Sequence, residues 1–175
     1  MTQPLVRIDN LTVGYPLGRR LLGAPAMLKA VKGVSLDIPK GSFVGLVGES
    51  GSGKTTLGRA ILRAAPISDG TITYDDGTRR YDIARMSRGE ERDFRSQAQL
   101  IFQDPYAALS PRMTIRDIIA EPLEVLGLTQ SREETDARVR EIAAKCRINL
   151  EHLRRYPHAF SGGQRQRIVI ARAIA

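Results

Sequence analysis

The chain has no tryptophan and a single cysteine in 175 residues. One thiol cannot close an intrachain disulfide, so the fold must be held by burial and hydrogen bonding, as suits a reducing compartment. Cys146 reads as a small apolar filler rather than a reactive thiol. No apolar run approaches the ~20 residues needed to cross a bilayer. The stretch Met1–Arg7 lacks the apolar segment of a signal peptide. Any service to a membrane is therefore expected from the cytoplasmic face, through partners. Acidic side chains are also scarce, 19 against 27 basic ones, for a formal net charge of +8. Basic chains can bind nucleic acid or anionic lipid. Here the basic residues are scattered and aromatics make up only 5%, so no basic stripe interleaved with aromatics forms. The charge reads as complementing a nucleotide and solvating the surface, with no nucleic-acid partner.

What is present is ordinary in bulk and specific in detail. Hydrophobic content of 42% and charged content of 26% suit a globular protein with a real core. Gly48-Glu49-Ser50-Gly51-Ser52-Gly53-Lys54-Thr55-Thr56 fits the phosphate-binding pattern G-x-x-x-x-G-K-[ST]. Apolar Phe43–Val47 precedes it, as a buried strand would. Leu57, Ile61 and Leu62 follow at helical spacing. Glycines let the backbone approach a phosphate closely, and the loop N–H groups and helix N-terminus face an anion. Lys54 then places charge on the β- and γ-phosphates, and the Thr55 hydroxyl can ligate Mg²⁺. The competing reading, a glycine-rich turn that binds nothing, does not explain the strand and helix on either side.

Along the chain, Leu5–Tyr15 reads as a strand with Asn10 marking a bulge or turn, and residues 16–25 as a loop. Val34–Ile38 alternates with period two, as a half-buried strand does. Pro39-Lys40-Gly41 turns into Phe43–Val47. The opening is thus antiparallel and β-rich before the chain becomes α/β. Residues 66–70 read as a turn, Thr71–Tyr74 as a strand and Asp75–Gly77 as a hairpin-like turn. A polar helix is expected over Ser87–Gln97, a second core strand over Gln99–Phe102, and a loop over Asp104–Arg112. Thr114 can N-cap a helix through Ile115, Ile118, Ile119 and Leu123. Ser131 with Glu134 forms a capping box ahead of a helix. Leu150–Tyr156 reads as a short helix, and Ser161 as the N-cap of a helix over 162–175. His152 and His158 read as surface or packing residues.

Phe160-Ser161-Gly162-Gly163-Gln164 is a second candidate anion site, since a helix start with two glycines leaves its N–H groups open. Taken alone it reads rather as an ordinary N-cap with glycines for clearance. It does not stand alone. The phosphate-binding loop, Gln103 at the end of Leu100–Phe102, this Ser-Gly-Gly-Gln run and Tyr15 follow one another as they do in the nucleotide-binding subunits of ABC transporters, which the whole chain resembles. Phe160–Gln164 resembles the family signature, with Phe in place of Leu. Ile101–Met113 and His152–His158 look like the oligopeptide/dipeptide-importer branch, as does the long segment between Tyr15 and Val34.

The resemblance implies an α/β fold of ABC ATPase type: a P-loop NTPase core with an N-terminal antiparallel β subdomain, and a helical subdomain. It divides the chain into β subdomain plus core (1–103), helical subdomain (104–160) and signature helix (161–175). ATP and Mg²⁺ are the implied cofactors. Gly48, Ser50, Gly51, Ser52, Gly53, Lys54, Thr55 and Thr56 would hold the phosphates and Tyr15 would stack on adenine. Thr55 and Gln103 would serve Mg²⁺, with Lys54 and Gln103 in catalytic roles. Ser161, Gly162, Gly163 and Gln164 would meet the γ-phosphate of ATP on a second, head-to-tail nucleotide-binding subunit, identical or paralogous. Two membrane-spanning subunits, and indirectly a solute-binding protein outside the membrane, complete the implied assembly. It would be peripheral on the cytoplasmic face of the plasma membrane. The family carries its Walker B aspartate, catalytic glutamate and switch histidine beyond the position of Ala175. The chain therefore reads as truncated before Walker B, and as hydrolysing ATP poorly or not at all on its own. Competing readings are an ABC ATPase acting on nucleic acid or the ribosome, a small P-loop kinase, which leaves Ser161–Gln164 unexplained, and an inactive fragment.

Overall fold

The computed structural model describes residues 3–17 and 26–175. The chain divides into two units, residues 1–98 and 99–175, each with its own apolar core.

The first unit is built on a four-stranded antiparallel sheet in the order β2-β1-β3-β4. Its strands are β1 (Val6–Leu17), β2 (Ala26–Ile38), β3 (Ile67–Asp75) and β4 (Arg80–Asp82). Val6 pairs with Ile38 on one side and Tyr74 on the other. Alternation along β1 turns Val6, Ile8, Leu11 and Val13 into the core. The period slips where β1 bulges between Ile8 and Leu11, with Asn10 at φ 47, as the sequence suggested for Asn10. Helix α1 (Lys54–Ile61) buries Leu57 and Ala60, and α2 (Arg88–Gln97) buries Phe94. Phe94 meets Tyr74 and Tyr81 edge-on at 5.3 and 6.2 Å. The Tyr81 hydroxyl donates to Asp93.

Strand content is wider than the local pattern indicated. β2 begins at Ala26 rather than Val34, and β3 takes in Ile67–Gly70, which reads as a turn in the sequence. Residues 18–25, most of the expected loop, lie outside the described residues.

Two expected core strands are not strands. Phe43–Val47 and Gln99–Phe102 run without regular structure. Phe43 and Val47 are 105% and 94% exposed, and Ile101 and Phe102 are exposed as well. A strand exists only when a neighbour takes its N–H and C=O groups. Among the described residues, neither segment is one of the strands that pair.

The second unit is helical. It contains the single-turn α3 (Pro105–Ala108), α4 (Ile115–Leu126), α5 (Arg132–Lys145), 3₁₀ turns over Leu150–Arg154 and Pro157–Ala159, and α6 (Gly162–Ala173). Ile115, Ile118, Ile119 and Leu123 of α4 pack with Val139, Ile142 and Ala143 of α5 and with Ile168, Val169 and Ala171 of α6. Thr114 caps α4 by accepting from Asp117 N at 3.2 Å, and Gly127 ends it in the left-handed region. Ser131 caps α5 by accepting from Glu134 N at 3.1 Å. The return bond of the expected box goes one residue further back: Glu134 accepts from Gln130 N at 2.7 Å. Cys146 packs against this core, and burial raises its thiol pKa, as fits a filler. No helix among the described residues is long and apolar enough to cross a membrane.

Candidate functional site

In the first unit the glycine-rich loop runs into α1, and its last glycine, Gly53, lies against the sheet. Gly53 is the N-cap at φ 93, and no side chain caps the helix. A Cβ at this position would lie 2.4 Å from the Ala30 carbonyl oxygen of β2. Only a bare backbone fits there. The first-turn N–H groups have no intrahelical acceptor, and the helix dipole makes this end electropositive. Gly51, also left-handed at φ 83, has open space where a side chain would be. Leu57, whose N–H reaches Gly53 O at 2.8 Å, locks the loop to the helix and the core.

Lys54 folds back over this loop. Its ammonium donates to Gly48 O at 2.7 Å, Glu49 O at 2.5 Å and Ser52 Oγ at 3.3 Å, which uses all three donors of the group. The charge is held at the mouth of the loop and pairs with no carboxylate there. An entering anion could displace those neutral acceptors. Ser50 and Thr55 are exposed, and Thr56 is partly covered. The loop therefore offers an anion site and a free hydroxyl at the first helical turn, which suits a phosphate chain with a hard cation. Mg²⁺ is bound through a few protein oxygens plus substrate phosphates rather than by a protein cage. Among the described residues no group of three or more His, Cys, Asp or Glu could hold a metal unaided.

Tyr15 is half-buried on β1 opposite Leu28. It lies two residues along from Val13, whose partner Val31 is among the closest neighbours of Gly53. Its ring is thus carried at the end of the sheet that meets the loop.

In the second unit Ser161 caps α6 through a full capping box. Its Oγ accepts from Gln164 N at 3.4 Å, while Gln164 Oε1 accepts from Ser161 N at 2.9 Å. Both readings of this run hold at once. Ser161 and Gln164 form a cap, and Gly162 and Gly163 leave open space where side chains would stand. Gln103 is exposed just before Asp104, which caps α3 by accepting from Tyr106 N at 2.8 Å.

Two arginines that sequence reasoning passed over organise this region. Arg165 is 8% exposed. It donates to Pro157 O at 2.8 Å and His158 O at 3.3 Å, and its guanidinium lies 3.9 Å from the centre of the Tyr106 ring. Arg172 donates to Ala108 O at 3.2 Å and pairs with Glu121 at 2.8 Å. The available signal was helical spacing: 165 and 172 share a face with buried Ile168 and Val169. The histidines pack, as expected, His152 edge-on to Phe160 at 5.5 Å and His158 stacked on Tyr156 at 5.9 Å.

Residues 31–175 match the family described as ABC transporter. Over its whole length the chain is 49% identical to a dipeptide transport ATP-binding protein, DppF, of Lactococcus lactis, covering 54% of that protein. It is 45% identical to an oligopeptide transport ATP-binding protein, OppF, of Bacillus subtilis, again covering the whole chain and 54% of the relative. The chain thus spans about half the length of these curated relatives. Among solved structures, a dimeric ATP-binding cassette, MJ0796, bound to ADP and phosphate, superposes with a TM-score of 0.78 at 28% identity, over 97% of this chain and 69% of that one.

Proposed function

The chain belongs to the ABC transporter family, and from that premise we propose that it is the nucleotide-binding part of an import ATPase subunit with peptide-type substrates. The observation that carries the reading is the Lys54 ammonium, held over an uncapped helix start by neutral acceptors alone. That arrangement suits the β- and γ-phosphates of ATP, with Gly48–Thr56 as the cradle. Thr55 and Gln103 offer oxygens to Mg²⁺, and Tyr15 offers its ring to adenine. Hydrolysis is phosphoryl transfer to water, in which positioning and charge stabilisation do most of the catalysis. Lys54 and the α1 N–H groups answer the charge that develops. Ser161, Gly162, Gly163 and Gln164 would face nucleotide held by a second copy or paralogue, so each chain contributes two half-sites. The dimeric state of the MJ0796 cassette supports that assembly.

The peptide-type assignment rests on the names of the relatives. Two membrane-spanning subunits, with a solute-binding protein behind them, are the partners, and the site of action is the cytoplasmic face of the membrane. Co-purification from membranes tests this. A tagged subunit in its natural reading frame should bring down two membrane-spanning proteins at stoichiometric yield. Recovery of nucleic acid instead, lost as salt is raised, would replace the reading with that of a nucleic-acid-directed ATPase.

A further inference from the structure

The segment after Gln103 and the turn that begins α6 are far apart in sequence, yet one side chain holds both. We propose that Arg165 is a positioning residue. It sets Ser161–Gln164 in register with the Gln103–Leu109 segment, so that the two move as one body.

The argument starts from burial. A guanidinium is costly to bury unless its donors are used. Arg165 is 8% exposed, and its hydrogen-bond partners are neutral carbonyls. Its head meets Pro157 O at 2.8 Å, His158 O at 3.3 Å and the face of Tyr106 at 3.9 Å. The two carbonyls belong to the 3₁₀ turn that leads into Phe160 and Ser161. Tyr106 belongs to α3, three residues after Gln103. Tyr106 is itself 64% exposed, so its ring covers the guanidinium from the solvent side and is not a core residue. Two turns on, Arg172 repeats the link by donating to the Ala108 carbonyl at 3.2 Å. α3 is therefore held to α6 at two points along its single turn. A shift of Gln103 is carried to Ser161 through a planar cation that bonds two carbonyls and faces a ring at once, which a lysine could not reproduce.

This inference deepens the reading of Gln103 and Ser161 as nucleotide-facing groups, but the linkage can be measured without nucleotide. Amide hydrogen exchange is followed at Tyr106–Leu109 and at Gln164–Arg167 in the 175-residue chain, in the parent, Tyr106→Leu, Arg165→Met and the double variant. Tyr106→Leu should speed exchange at the hydrogen-bonded amides of Gln164–Arg167 about threefold, the size of one partly exposed cation–π contact. In the Arg165→Met background the same change should add nothing. Equal exchange at Gln164–Arg167 in parent and Tyr106→Leu, or full additivity in the double variant, would overturn the proposal. Where Arg165→Met does not fold, Arg165→Lys replaces it, with raised exchange in both segments expected and parental rates in both counting against the linkage. ATP binding by the parent, measured separately, keeps failure of the linkage distinct from failure of the functional reading.

Discussion

Gly51 and Gly53 both sit in the left-handed region, at φ 83 and 93, yet alanine should affect them very differently. Alanine in this conformation costs about 1–2 kcal/mol at either position. At Gly51 nothing lies within 4 Å of the new methyl, so the cost ends there. At Gly53 the methyl would stand 2.4 Å from the Ala30 carbonyl oxygen, and that neighbour is backbone within β2. Relief requires moving α1 off the sheet or bending β2, each of which opens the contact around buried Leu57 and Ala60. Overpacking of this kind adds roughly 1–3 kcal/mol. Gly53→Ala should therefore cost about 2 kcal/mol more than Gly51→Ala. With a urea m-value of about 1–3 kcal/mol per molar, its midpoint should fall about 1 M further. Near-ultraviolet circular dichroism of the Tyr74–Tyr81–Phe94 cluster reports unfolding of this same unit. Equal midpoints for the two variants would refute the claim that the loop packs flush on β2.

Other consequences follow from the same structure. The hydrogen bond to Asp93, helped by burial, pushes the Tyr81 hydroxyl up to about 12. Its stabilising effect is complete below the ordinary tyrosine value near 10 and is lost as pH rises from there through about 12. Tyr81→Phe should cost about 1 kcal/mol at neutral pH and flatten the alkaline decline, as read by urea unfolding between pH 9 and 12. Phe43→Ser with Val47→Thr removes two side chains that bury nothing. The double variant should raise the soluble concentration of the chain without lowering its melting temperature, checked by light scattering and calorimetry. A drop of several degrees would mean that these residues pack.

The elements whose signals are local were legible before any coordinates. Thr114, Ser131 and Ser161 each cap the helix their sequence position suggested, because a cap is closed by residues two or three positions away. The glycine-rich loop was legible for the same reason. Phe43–Val47 and Gln99–Phe102 were misread because an apolar run says only that a strand could form. Pairing needs a neighbour, and among the described residues neither segment is one of the paired strands. The reach of β2 back to Ala26 was hidden likewise, since its register is fixed by β1 rather than by its own alternation. At the site, residue types announced Lys54 and Ser161–Gln164. Arg165 stayed hidden because its partners are two backbone carbonyls and a ring, none of which leaves a charge pattern in the sequence.

The central claim is that Gly48–Thr56 binds the phosphates of a nucleotide through Lys54 and the bare start of α1. Titrating Mg·ATP into the purified chain and into its Lys54→Ala variant, by calorimetry, tests this most directly. The parent should bind saturably. The variant should bind about 10- to 100-fold more weakly, the ~1.5–3 kcal/mol of a charged hydrogen bond lost, with its circular dichroism spectrum unchanged. Equal affinity in the two chains would contradict the claim.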